Sequence, residues 1–177
     1  MGRDKALLVV DGCSLAERGA QLLGEVAATA VEVGPGHSPL PSVREEPPGA
    51  GPLAGLCAGA AELRRLGHDG PVLLLAVDMP FVTPALLRLV AGRPGPATVV
   101  PRDGDGRPQP LCARYGAGAL AVAERLLATG ERSLRALLGA VSADVGWVEA
   151  AEWEPVAGPD AFFDLDSPAD LDRLRPP

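Results

Sequence analysis

Apolar residues along this chain fall into short unbroken runs, separated by stretches whose apolar positions recur at helical spacing. The clearest run is residues 72–77, Val-Leu-Leu-Leu-Ala-Val, which leads straight into the carboxylate of Asp78 and turns at Pro80. A run of this length suits a parallel strand buried on both faces. Weaker runs at residues 5–10, 28–33, 97–100, 109–115 and 145–148 read as further strand candidates. Helix signals lie between them. Ser14 with Glu17 fits a capping box and predicts a helix over residues 15–26. Pro52 suits a first helical position, with Gly67 as the stop after residue 66. Thr83 before Pro84 opens a helix to residue 90, and Ser167 before Pro168 opens one to residue 175. Residues 118–128 and 133–138 also read as helices. The Asp103-Gly-Asp-Gly106 turn folds residues 97–115 into a hairpin. Residues 34–50, rich in Gly and Pro, read as a long loop, of a length that is usually functional or mobile.

Strands alternating with helices predict right-handed βαβ units, hence an α/β fold: a three-layer αβα sandwich around a mainly parallel sheet. A chain of 177 residues is long enough for one domain over residues 1–177 with a substantial core. Aromatics are only 3% of it, so Leu, Val and Ala must build that core. The formal net charge of −7 argues against a nucleic-acid partner, which needs a basic face. No apolar span is long enough to cross a membrane, and no signal-peptide pattern follows Met1, which together predict a cytoplasmic protein. Cys13, Cys57 and Cys112 are odd in number and lack zinc spacing, so reduced thiols are expected.

Four clusters could carry chemistry. Asp78 at the carboxyl end of a strand is where open α/β sheets bind ligands. Magnesium takes a few carboxylates and leaves its other positions to phosphate and water, so Asp78 is a candidate metal ligand, with strand-end capping as the other reading. Asp164 and Asp166 alternate before a helix start, which would aim both carboxylates to one side of a strand; helix capping is the competing role for Asp166. Residues 45–55 hold Glu45, Glu46 and several glycines that allow close backbone approach to a ligand, although their composition also fits an ordinary flexible loop. The fourth cluster is Asp4 with Lys5, and a lone lysine is ordinarily a solvated surface charge. There is no P-loop, no GxGxxG and no GxSxG.

Taken in order, Met1-Gly-Arg-Asp-Lys-Ala-Leu-Leu8, Gly51-Pro-Leu-Ala-Gly55, Val77-Asp-Met-Pro-Phe81, Gln109-Pro-Leu111 and Phe163-Asp-Leu-Asp-Ser-Pro-Ala-Asp-Leu171 resemble the molybdenum cofactor guanylyltransferases, within the MobA-like nucleotidyltransferases. The resemblance implies a Rossmann-like nucleotidyltransferase fold. It implies transfer of GMP from GTP to molybdopterin carrying molybdenum, with release of pyrophosphate and with Mg²⁺ as cofactor. It also implies transient contacts with proteins of molybdoenzyme maturation. By resemblance, Lys5 contacts the nucleotide phosphates and Asp78 binds Mg²⁺ near the nucleotide. Gly34 falls at a nucleotide contact, and Glu46 where an acidic residue reads the guanine. Asp164 and Asp166 stand where the family often has asparagines, and Glu46 where a shorter Asp is usual. A cytidylyltransferase using CTP is the nearest alternative.

The family sets a strand and a Gly-rich segment, Leu-Ala-Gly-Gly-x-Ser-x-Arg, before its Met-Gly-x-Asp-Lys. Here Met1 is the motif's own methionine. The expectation is a start assigned to an internal methionine of a longer enzyme. The alternative is a truncated, non-catalytic nucleotide- or partner-binding protein.

Overall fold

Val72–Leu75, here β5, is the strand around which the fold is laid out. The computed structural model describes residues 4–10, 12–95, 97–165 and 170 of the chain. Before β5 come a hairpin of β1 (Val9–Val10) and β2 (Cys13–Ser14), helix α1 (Leu15–Gly24), the short parallel pair β3 (Glu32–Val33) and β4 (Ser42–Val43), and helix α2 (Pro52–Arg65). After it come α3 (Pro84–Gly92), β6 (Thr98–Pro101), β7 (Cys112–Tyr115), α4 (Ala117–Ala128), α5 (Leu134–Ala140), β8 (Val145–Val148) and α6 (Ala150–Ala157). The main sheet has the order β5-β7-β6-β8. Strand β7 runs against β5 and β6, while β8 runs parallel to β6.

Side chains that alternate along a strand bury opposite faces. Val100, Ala113, Tyr115 and Val145 pack under α2, α4 and α5. Val99, Cys112 and Val148 pack under α3 and α6, with Leu22 and Leu23 of α1 at the margin. The result is the expected α/β sandwich, but its main sheet is mixed rather than mainly parallel: among the described residues β7 is antiparallel to both neighbours and only β6 and β8 pair in parallel. Leu86, Leu87 and Val90 on α3 are 0% exposed, and each such burial contributes about 1.5–3 kcal/mol.

The helix starts are as the sequence implies. The Ser14 hydroxyl accepts from the Glu17 N–H at 3.2 Å while the Glu17 carboxylate accepts from the Ser14 N–H at 2.9 Å, closing the capping box. Thr83 Oγ1 accepts from the Leu86 N–H at 3.2 Å, with Pro84 in the first turn. Several expectations need correction. Of residues 5–10 only Val9–Val10 is strand, and Lys5–Leu7 forms a 3₁₀ turn. Only Glu32–Val33 of residues 28–33 is strand, and the loop after it contains the extra strand Ser42–Val43. Residues 162–165 are coil, so no strand alternation aligns Asp164 with Asp166. Helix α6 was not legible, because Pro155 inside it reads as a breaker. The helix expected from Ser167, like Asp166 itself, lies outside the described residues.

The last correction concerns β5. It is apolar, yet all four of its residues are only partly buried. Its one partner among the described residues is β7, on one edge. On the other side β3 stands off without pairing, and a groove of about 530 Å³ opens between Val31 and Val33 on one wall and Val72, Leu73 and Leu74 on the other. Leu23 of α1 and Gly55, Leu56 and Gly59 of α2 complete it.

One tight approach fixes the sheet to α4. Gly116 caps that helix, and its N–H donates to the buried Thr98 hydroxyl at 3.2 Å. A Cβ at Gly116 would lie 3.1 Å from the Ala97 carbonyl carbon and closer still to its side chain. Gly116→Ala is therefore expected to destabilise the fold by about 1–3 kcal/mol, read as a lower urea midpoint at unchanged slope.

Candidate active site

The strand β5 ends at Leu75, and a turn carries Asp78 just past the sheet edge. Two backbone and side-chain ties hold that turn. The Leu165 N–H donates to the Asp78 carbonyl at 3.0 Å, and Arg18 Nε of α1 donates to the Pro80 carbonyl at 3.2 Å. Met79 and Val82 bury beneath it at 4% and 2% exposure. Anchored this way, the Asp78 carboxylate stays partly exposed and meets Lys5 Nζ at 3.3 Å. The two residues are 73 positions apart in sequence. Lys5 begins a single 3₁₀ turn, Lys5–Leu7, capped by Asp4, whose carboxylate accepts from the Ala6 N–H at 3.1 Å and meets His37 Nε2 at 2.9 Å. The lysine is thus not a solvated charge.

His37 belongs to the loop after β3. Glu32 organises that loop: its carboxylate accepts from the N–H groups of Gly36, His37 and Ser38 at 2.8, 2.9 and 2.7 Å. Burial opposes ionisation of Glu32, but these bonds together outweigh it and hold the carboxyl below its usual range. The sequence offered no signal for this role. Gly34 stands at the start of the loop, its N–H donating to the Val43 carbonyl at 2.8 Å. Pro35 and Ser38 line the end of the β3–β5 groove nearest Asp78, a compartment of about 370 Å³ that also includes Ala6, Glu45, Pro52 and Val77.

Glu45 and Glu46 part company here. Glu45 faces this compartment and accepts from the Gly49 N–H at 2.9 Å. Glu46 is exposed and lines a separate surface depression against α2, with Cys57 and Arg65. Glu45 borders that depression as well, and the loop's path brings Glu45, not Glu46, to the groove. Asp164 comes near Asp78 through the neighbouring Leu165 and lines a second pocket, of about 500 Å³, on the far side of Pro52 and Leu111. Pro52 and Leu111 border both compartments. The buried Cys112 thiol is pushed up to about 12 by burial, which removes it as a nucleophile at neutral pH.

A family model described as "MobA-like NTP transferase domain" matches residues 1–145. The chain belongs to the MobA-like NTP transferase family. It is 40% identical over 149 residues to a probable molybdenum cofactor guanylyltransferase of Opitutus terrae, covering 80% of this chain and 72% of that protein. It is 36% identical over 155 residues to a protein of the same description from Mycobacterium tuberculosis, covering 81% of this chain and 75% of that one. Among solved structures, molybdopterin-guanine dinucleotide biosynthesis protein A from Archaeoglobus fulgidus superposes with a TM-score of 0.77 at 23% identity, covering 98% of this chain and 89% of that one. The 2-C-methyl-D-erythritol 4-phosphate cytidylyltransferase of Thermus thermophilus gives 0.64 at 24% identity, covering 96% and 91%. At such identities these two likenesses carry the fold alone. A MobA-like NTP transferase is a nucleotidyltransferase, so the site is to be judged by how it handles a nucleotide and an acceptor. No helix among the described residues is long and apolar enough to cross a membrane.

The donor set suits a magnesium ion. Among the described residues no group of three or more His, Cys, Asp or Glu side chains forms a closed metal cage. Asp78 instead offers one partly exposed carboxylate, and Asp164 lies on the segment whose Leu165 N–H bonds the Asp78 carbonyl. Magnesium is held in that manner when substrate phosphates and water complete its shell.

Proposed function

We propose that this chain transfers GMP from GTP to molybdopterin carrying molybdenum, releasing pyrophosphate. The observation that carries the reading is the Lys5–Asp78 pair, 3.3 Å apart just past the end of β5, whose chain neighbours Ala6 and Val77 line one compartment and Met79 the other. The reaction joins an acceptor phosphate oxygen to the α-phosphorus of the nucleotide and breaks the bond to the β-phosphate. Such chemistry asks for alignment and charge neutralisation, and requires no protein nucleophile. Lys5 supplies a cation beside the phosphates. Asp78 and Asp164 would hold Mg²⁺, which supplies charge neutralisation at the phosphoryl oxygens when bound. The loop at Gly34 and the Glu45 side of the groove take the nucleoside, with Glu46 retained as a candidate base reader from the resemblance alone.

The groove between β3 and β5 has apolar walls, and among the described residues one edge of β5 carries no strand.

The test uses two chains: residues 1–177, and the same chain preceded by an apolar strand and Leu-Ala-Gly-Gly-x-Ser-x-Arg. Each is incubated with Mg²⁺, molybdenum-loaded molybdopterin and GTP or CTP, and pyrophosphate is measured. Release with GTP, greater in the extended chain, is the expected result. Release with CTP alone would move the reading to a cytidylyltransferase. Release with neither nucleotide from either chain would end it.

A further inference from the structure

Of the 16 lysines and arginines in the chain, Lys5 alone is a lysine. Its ammonium meets Asp78, yet the turn that delivers it is weakly built. Lys5–Leu7 is one 3₁₀ turn with no buried residue, and Leu7 is 54% exposed. A single 3₁₀ turn has poor hydrogen-bond geometry and little cooperativity of its own. The turn places no side chain in the core, so polar ties must fix the direction in which Lys5 leaves the backbone.

Those ties start at Asp4. Its carbonyl accepts from the Leu7 N–H at 3.2 Å and its Oδ1 from the Ala6 N–H at 3.1 Å, which together close the turn. Its Oδ2 meets His37 Nε2 at 2.9 Å. An ionised carboxylate only accepts, so Nε2 carries the hydrogen and donates it. His37 lies 33 positions from Asp4, and the closure of its own loop brings it there. Glu32 sets that closure by accepting from the N–H groups of Gly36, His37 and Ser38. The contacts form one series: Glu32 to the His37 backbone, the His37 ring to Asp4, Asp4 to the turn, and Lys5 to Asp78. The His37 and Asp4 side chains are 24% and 47% exposed. A pair that open contributes little to global stability, so it acts on where the turn lies and not on whether the chain folds.

We propose that His37 is a positioning residue for the sole lysine: by holding Asp4, it keeps the Lys5 ammonium at Asp78. The catalytic consequence rests on the proposed nucleotidyl transfer, while the placement of Lys5 can be read without any substrate. His37 touches no reacting atom and acts through Asp4 and Lys5. Pro35 and Ser38 of the same loop line the compartment of about 370 Å³, so one hydrogen bond couples that wall to the cation. A misplaced ammonium neutralises phosphate charge poorly, because electrostatic stabilisation depends on a group already set where charge develops.

One lysine gives one side-chain signal, so NMR of the intact chain with isotope-labelled lysine tests the placement directly. Asp78→Asn marks the position of the Lys5 ε-methylene signal once the ion pair is lost. His37→Ala is expected to move the signal at least halfway to that position. His37→Gln, whose amide N–H can still donate to Asp4, is expected to leave it close to wild type. An unmoved signal in His37→Ala would overturn the proposal. Equal movement in both variants would overturn it too, since that is the effect of losing the imidazole ring alone. In the pyrophosphate assay, His37→Ala is expected to lower kcat/KM for GTP about tenfold while the KM for molybdopterin changes less than about twofold, with most of the loss recovered in His37→Gln. An unchanged kcat/KM for GTP, or no recovery by Gln, would remove the catalytic consequence. If the intact chain transfers no nucleotide, the functional reading fails and the lysine signal alone decides the positioning role.

Discussion

Asp78→Ala is expected to lower pyrophosphate release by about a thousandfold or more, a loss of roughly 4 kcal/mol of transition-state stabilisation. The same change is expected to leave the fold in place. Among the described residues its carboxylate pairs with Lys5, and that pair is partly exposed, with 30% and 26% of the two side chains open to solvent. Pairs of this kind contribute about 0–1 kcal/mol to stability. The bond that anchors the turn uses the Asp78 carbonyl, which alanine keeps. Asp78→Asn preserves the shape and removes the charge, so it separates a structural role from an electrostatic one. If Asn supports wild-type turnover, the carboxylate has no part in the reaction. Lys5→Ala is expected to cost less, about a hundredfold, because a bound Mg²⁺ would share the neutralisation of phosphate charge. Thermal unfolding in parallel checks that each variant remains folded.

Trp153→Ala is expected to produce the largest loss of stability, about 3–5 kcal/mol. This side chain is 1% exposed, in the core face that holds α3 and α6 against β6 and β8. Its ring meets Phe162 edge-on with centroids 4.8 Å apart. Its Nε1–H donates to the Arg102 carbonyl at 2.7 Å, a bond that ties α6 to the end of β6. Truncation would open a cavity and leave that carbonyl without this donor. Trp153→Phe fills most of the volume and removes only the donor, so a smaller loss of about 1 kcal/mol is expected. Urea unfolding measures both. Equal losses in the two variants would show that the hydrogen bond, and not the packing, dominates.

The candidate site was legible in part, and the reasons differ residue by residue. Asp78 could be read from chain neighbours alone: an apolar run, one carboxylate and a proline turn are a local signal. Lys5 could not be read that way, since its partner lies 73 residues on; only the resemblance singled it out. The pair Glu45 and Glu46 shows the limit of a motif. Both lie in the right segment, but the groove meets Glu45 while Glu46 faces the surface beside Cys57. Asp164 and Asp166 were joined by an alternation argument that fails where the segment is coil. Glu32 left no trace at all, because its role consists of bonds to three N–H groups that exist only once the loop has closed.

The sequence by itself determined the order and kind of most elements: the capped helices α1, α2 and α3, the hairpin of β6 and β7, and β8. These rest on local causes such as side-chain caps, proline at a first turn and apolar period, which act within a few residues. The tertiary structure alone decided which strands pair, and it left β5 facing β3 across an open groove instead of buried on both sides. It also decided that Lys5 meets Asp78, and that His37 reaches Asp4 from the loop after β3. Such juxtapositions depend on strand order and on the path of loops, and the physics that sets them acts between parts of the chain that no local pattern connects.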